Sequence, residues 1–224
     1  MKIKILISCL LLSNVAFADD ATNSIEPALN VSGSMALLSN YIWRGQSPSF
    51  DKPSVQGDIM IDHESGLYIG SSFETYRNGD EDTKDYELDY YGGYYNQLND
   101  DLGIGVMINS YTYGNADSTL EYNITVDYKS FSVGVNYDKD TEAYYSELNY
   151  SLTVINEDEL TLHAGYFTDA EYYGFGDENY PADNFYDMAI RYDYPVTELF
   201  AFHLEASYQK FDHDHYMVGL SYSF

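Results

Sequence analysis

Cysteine is almost missing from this 224-residue chain: there is one, Cys9. It sits in an N-terminal leader, so no disulfide is available to brace the rest of the chain. Basic residues are scarce as well. Ten Lys and Arg stand against 37 Asp and Glu, a formal net charge of −27. Such acidity excludes nucleic acid as a partner and excludes charge-driven docking on anionic lipid headgroups. Long apolar runs are missing beyond the leader, and none approaches the ~18 residues of a transmembrane helix. Catalytic signatures are missing too. There is no G-x-S-x-G or H-E-x-x-H, no Ser–His pair is legible, and no cofactor-binding motif occurs. The expectation is a protein that is not an enzyme and carries no cofactor.

What is present begins with MKIKILISCLLLSNVAFADD. Lys2 and Lys4 precede an apolar run, Ile5 to Leu12, and Ala16-Phe17-Ala18 supplies small residues around a cleavage site. That is a secretory signal peptide, residues 1–18. The stretch around Cys9 mimics a lipoprotein acceptor, but the apolar run before it is too short. Cleavage leaves 8 bases against the same 37 acids, a net charge of −29. Residues 19–29 are polar, contain a proline, and read as a periplasmic lead-in to a domain spanning 30–224.

Aromatics are abundant, with 26 Tyr and 11 Phe. They fall in twelve segments whose apolar residues recur at every second position, the period of a β-strand with one apolar face. The first face runs Val31, Met35, Leu37, Tyr41, Trp43, and the last runs Tyr216, Val218, Leu220, Tyr222, Phe224. A soluble sandwich also alternates. Two further features separate the cases. Tyrosines bracket aliphatic centres, as in Tyr122-Ile124-Val126-Tyr128, which suits rings at the two edges of a bilayer. Connections also alternate: long at 44–54, 77–84, 113–119 and 169–184, with 138–142 and 210–215 shorter, and tight near 63–66, 96–100, 129–130, 155–159 and 195–198. The pattern predicts an all-β fold, a transmembrane antiparallel β-barrel of about twelve strands in a bacterial outer membrane. Both chain ends then fall on the periplasmic side. The terminal strand is expected to close the barrel against the first, with Tyr222 and Phe224 acting as an assembly signal.

The segment SNYIWRGQSPSFDKPSVQGD carries the pattern S-x-Y-x-x-R-G-x-S (Ser39, Tyr41, Arg44, Gly45, Ser47) followed by P-x-x-Q-G (Pro53, Gln56, Gly57). It resembles the TorF-type porins, a proteobacterial outer-membrane family. The resemblance implies a small barrel that passes small solutes, and brings no catalytic or binding residues with it.

Parity along the strands assigns the lumen face. Inward acids are expected at Asp58, Asp62, Glu74, Asp85, Glu87, Asp89, Glu121, Asp127, Glu147, Asp187, Asp193 and Glu205, and inward bases only at Arg44, Lys129 and Arg191. Charged linings can hydrate or brace a narrow barrel through ion pairs, or attract ions. Three bases cannot pair twelve acids, which points to a porin-like channel for small polar solutes that prefers cations. Arg44 leaves the first strand at its outer end, where it could form a constriction or lock onto acids. His163 and His203 are expected inward on non-neighbouring strands. Asp212-His213-Asp214-His215 is the densest potential metal cluster, and a solvated loop is the plainer reading. The loops Asp80-Glu81-Asp82 and Asp177-Glu178 lack the spacing of a calcium loop. Expected partners are outer-membrane lipid and lipopolysaccharide, the outer-membrane assembly machinery and small polar solutes, with the protein a monomer. The alternative readings are a closed structural or adhesive barrel acting through its outer loops, and an outer-membrane hydrolase.

Overall fold

The computed structural model describes residues 29–78, 82–114, 117–168, 184–211 and 213–224. The signal peptide, the lead-in up to residue 28, Asp80, Glu81, Asp177, Glu178 and Asp212 lie outside the described residues.

Period-2 patterning yields strands throughout. They are β1 Leu29–Leu38, β2 Ser54–His63, β3 Leu67–Arg77, β4 Lys84–Gln97, β5 Leu102–Tyr113 and β6 Thr119–Tyr128. The second half comprises β7 Phe131–Asp138, β8 Tyr144–Thr153, β9 Glu159–Thr168, β10 Phe185–Pro195, β11 Phe200–Gln209 and β12 His213–Ser223. Each strand pairs antiparallel with its sequence neighbours, and β1 pairs with β12, so the sheet closes on itself. Closure leaves no edge strand with unsatisfied backbone groups, the condition for a sheet to cross hydrocarbon.

The closing seam runs from Leu38 opposite Gly219 to Ser34 opposite Ser223. It is extended by a reciprocal pair of backbone bonds between Gly33 and Phe224, 3.1 and 3.0 Å long. The Phe224 ring lies over Gly33, where a Cβ would stand 2.7 Å from its Cζ. The absence of a side chain at Gly33 is what lets the terminal aromatic settle there.

The barrel is inverted relative to a soluble domain. Its exposed large side chains are the predicted apolar faces, including Met35, Leu37, Ile59, Ile69, Ile124, Val133, Met188, Ile190 and Val218. Its buried residues are largely polar: Ser, Asn, Gln, His, Asp and Glu. Outward aromatics pair across strands, Phe131 with Tyr150 and Tyr137 with Tyr144, each with ring centroids 4.7 Å apart. This is the transmembrane β-barrel that the alternation predicts.

The first connections alternate long and short as expected. Residues 139–143 match 154–158 in length, however, and only 210–212 separate β11 from β12. The first strand also departs from its expected face. β1 ends at Leu38, and Tyr41 and Trp43 do not continue its apolar face. Tyr41 is buried inside, and residues 40–50 of the connection are buried or half-buried in the lumen. The aromatics at 41 and 43 keep the parity of Met35 and Leu37, but the chain turns at Ser39-Asn40. Partners inside the barrel take them up, Glu87 for Tyr41 and an aromatic cluster for Trp43.

Candidate functional site in the barrel lumen

The 39–53 segment is a self-knit unit. The Asn40 side-chain carbonyl accepts from Ser47 Oγ at 2.7 Å and Ser49 Oγ at 2.8 Å, while its amide donates to Asp51 at 2.7 Å. Backbone N–H groups of Tyr41 and Asp51 donate back to Ser49 Oγ and Ser47 Oγ. At the tip, Trp43 and Gln46 exchange backbone bonds of 2.8 and 2.9 Å around Arg44 and Gly45. Both central residues have positive φ, 50° and 74°, the backbone that a primed two-residue hairpin turn requires. Gly takes this conformation without penalty; Arg44 must be held in it.

What holds it is the far wall. The Arg44 guanidinium makes a two-pronged pair with Glu121 on β6, at 2.8 and 2.9 Å, and lies 4.5 Å from the Trp43 ring centroid and 4.4 Å from that of Tyr145. Trp43 packs on the inward aromatic cluster of Tyr145, Phe167 and Phe185 from β8, β9 and β10. On the near side Ile42 packs on Ala36, Leu38 and Met217, and His215 of β12 bonds Asp51 at 2.8 Å. The Tyr41 hydroxyl donates to Glu87 on β4 at 3.4 Å. A single segment thus reaches across the outer half of the lumen to several walls at once.

The predicted acids divide by environment. Glu74, Asp85, Glu87, Asp89, Glu121, Glu147, Asp187 and Glu205 are buried inside the barrel, and Asp58, Asp62, Asp127 and Asp193 are half-buried. On β6 to β11 many are engaged. Glu121 pairs with Arg44, Glu205 with Arg191 at 3.2 Å, Asp187 with His163 at 2.9 Å, and Asp193 with His203. Glu147 accepts from Asn149 at 3.2 Å. Tyrosines serve others: Tyr91 donates to Asp58 and Tyr95 to Asp127. Asn30 donates to Asp62 at 3.0 Å. Among the described residues no Lys, Arg or His pairs with Asp58, Glu74, Glu87 or Asp89, all on β2 to β4.

Three expectations need correction. Lys129 is not an inward base: it occupies the two-residue turn after β6 with φ 56°, is exposed, and stands 3.7 Å from Asp101. Residues 213–215 are not a loop cluster but the start of β12, where Asp214 is exposed and His215 buried. Alternation sends these two neighbours to opposite faces, so they cannot converge on one ion. Finally, a Ser–His–Asp arrangement exists that sequence inspection does not reveal. His203 Nε2 is 2.7 Å from Ser221 Oγ, and Nδ1 contacts Asp193. Its members lie on β12, β11 and β10, brought together by register. β12 is paired on both sides, so the backbone N–H groups beside Ser221 are spent in ladder bonds. A hydrolase needs such donors for its oxyanion; here the trio ties three strands together.

Other inward groups follow the same strand parity as the acids, but most carry no charge to single them out. Asn109, Asn123, Asn136 and Asn149 form a polar belt, with Asn123 donating to Asn136 at 2.8 Å. Tyr68, Tyr91 and Tyr95 fill the periplasmic half beside Met60 and Met107. Asp138 and Asp158 are further buried acids. The first caps the turn after β7, and the second accepts from Tyr192 at 2.6 Å.

Residues 23–180 match the model of a bacterial protein family of unknown function, Gcw_chp. The chain belongs to this family. The Gcw_chp match covers the inward segment and the strands β1 to β9. Among solved structures the barrel is similar to the KdgM porin, at 12% identity and TM-score 0.63 over 86% of this chain and 99% of that one. The KdgM porin has also been solved in complex with disordered oligogalacturonate, and that structure matches with TM-score 0.61 at 11% identity, covering 87% of this chain and 98% of the other. The NanC porin aligns with TM-score 0.57 at 9% identity, over 86% of this chain and 99% of that one. Acinetobacter baumannii Omp33 aligns with TM-score 0.52 at 9% identity, over 87% and 96%. These likenesses establish the fold, a closed barrel of the bacterial outer-membrane type. No curated protein matches the sequence.

Proposed function

We propose that the protein is an outer-membrane porin-like channel that passes small polar solutes through a lumen narrowed by the 39–53 segment, with a preference for cations. The observation that carries this reading is the polar, acid-rich interior inside an apolar exterior. A barrel built only to pack would have no use for buried carboxylates without ion-pair partners, since a buried unpaired charge is costly. The TorF-type pattern supports the reading from another side, because Ser39, Tyr41, Arg44, Gly45 and Ser47 are the residues that build the inward segment. Oligogalacturonate, found with the KdgM porin, carries a carboxylate on each sugar. The acid excess in this lumen argues for a solute of the opposite charge.

The test is single-channel recording of the purified protein in a planar bilayer. Discrete conductance steps are expected, and they should grow when the 39–53 segment is replaced by a short Gly/Ser turn. A second reading, a closed structural barrel, is favoured by one observation: the segment touches β4, β6, β8, β9 and β12 together. That reading predicts no steps in the native protein and steps only after the segment is shortened.

A further inference from the structure

β3, β4 and β5 gather buried oxygens, three of which have no donor supplied to them. Glu74 and Glu87 are directly opposite in the β3–β4 register. Asp89 lies two residues beyond Glu87 on the same inward face, and Asn109 of β5 is its diagonal neighbour, with Asn109 Nδ2 3.5 Å from Asp89 Oδ2. All four are at least nine-tenths buried, with exposures of 3% for Glu74, 6% for Glu87, 4% for Asp89 and 3% for Asn109. Glu74 Oε2, Asp89 Oδ1 and Asn109 Oδ1 are buried and have no hydrogen-bond partner.

Asn109 is the informative member, because it is neutral and lies outside the acid pattern. Its amide nitrogen is turned towards Asp89, which fixes its carbonyl oxygen away from that carboxylate. The opposite orientation would set two acceptors against each other. Three open acceptors, Glu74 Oε2, Asp89 Oδ1 and Asn109 Oδ1, call for a guest that donates. The carboxyl groups of Glu74, Glu87 and Asp89 call for a cation. Among the described residues no three acidic or imidazole groups converge closely enough to hold a metal ion. The guest that fits both conditions carries its charge on N–H bonds.

We propose that Glu74, Glu87, Asp89 and Asn109 form a subsite for an organic ammonium or guanidinium group. It lies beside the inward segment, since Glu87 is the acceptor of the Tyr41 hydroxyl. A solute passing the constriction would exchange its water shell for these oxygens one group at a time. The inference rests on solute reaching the lumen, as the channel reading holds.

The test uses folded protein in detergent, with the unfolding midpoint followed by the gel-mobility change on heating. Methylammonium, tetramethylammonium and potassium chlorides are compared at equal ionic strength, because the first donates hydrogen bonds and the others cannot. Methylammonium should raise the wild-type midpoint saturably, while the other two should not. Glu74→Gln and Asp89→Asn should fold to the same compact band and lose the saturable shift. Asn109→Ala should keep it with roughly tenfold weaker apparent affinity, the loss of one hydrogen bond to a charged group. No wild-type shift, an equal shift with tetramethylammonium, or an unchanged shift in all three variants would overturn the subsite. Conductance recorded on the same preparation separates the two claims. A conducting protein without the shift loses the subsite and keeps the channel; a shift without conductance keeps the subsite and loses the channel.

Discussion

Arg44 holds a backbone φ of 50° while its guanidinium stacks between two rings and grips Glu121 with both prongs. The side-chain contacts fix the turn, and the turn aims the side chain; neither is stable alone. With Arg44 and Glu121 only 8% and 2% exposed, removing one partner leaves a buried charge uncompensated, a cost of about 3–5 kcal/mol. Arg44→Ala and Glu121→Ala should each lower stability in urea titrations. The double variant should lose less than the sum, with a coupling of about 1–3 kcal/mol; strict additivity would mean that the pair holds nothing. Arg44→Lys keeps the charge but not the planar fork, and should restore only part of the loss. Gly45 tests the same turn from its other side. A Cβ there would stand 2.5 Å from the Asp187 Cβ and 2.9 Å from the Gln209 Cβ. Gly45→Ala should therefore push the tip off the β10–β11 wall and widen the conductance distribution in single-channel records.

At the scale of elements, β12 and the 39–53 segment do opposite jobs: one completes the wall and the other fills what it encloses. Phe224 closes the seam through its backbone bonds to Gly33 and the ring laid over that residue. Phe224→Asp or Gly33→Leu should each cut the yield of assembled, heat-modifiable barrel severalfold. A charged substitution in the 169–184 connection should leave the yield near wild type. Equal yields would detach the seam from assembly. The strands themselves are legible in the sequence, because one face meets lipid and the other water at every second residue, and nothing competes with that signal. The inward segment is not. Tyr41 and Trp43 extend the alternation of Met35 and Leu37, and the groups that receive them lie far along the chain: Glu87 for the Tyr41 hydroxyl, and Tyr145, Phe167 and Phe185 for Trp43. β4 shows why composition could not separate the faces: Tyr90 and Tyr94 are exposed while Tyr91 and Tyr95 are buried. The acids of the lumen are readable by parity, since strand phase alone decides their side. Their partners are not, because Arg44 with Glu121, and His203 with Asp193 and Ser221, meet through register and a folded loop. The same limit hides Asn109, which looks like any strand asparagine until its neighbours are known.

For the whole molecule, closure and charge set the behaviour. A ladder with no free edge opens only when many strand bonds break together, so the folded form should resist detergent at room temperature and run compactly on gels until boiled. Recovery as a soluble periplasmic monomer would contradict the barrel's inverted surface. The field inside is uneven: acids on β6 to β11 are largely met by Arg44, Arg191, His163 and His203, whereas Asp58, Glu74, Glu87 and Asp89 on β2 to β4 are not. On the channel reading proposed above, a cation crossing the lumen would be drawn to that wall, in a partly dehydrated space where charge acts more strongly than in bulk water. Added salt should blunt that pull, as the Debye length falls from about 10 Å at 0.1 M to about 3 Å at 1 M. The most direct test is the reversal potential across a potassium chloride gradient at low salt, for wild type and for the combined variant Glu74→Gln, Glu87→Gln, Asp89→Asn. Potassium selectivity that fades at high salt and falls in the variant is the predicted result. Chloride preference in the wild type, or no current at all, would contradict a cation-preferring channel.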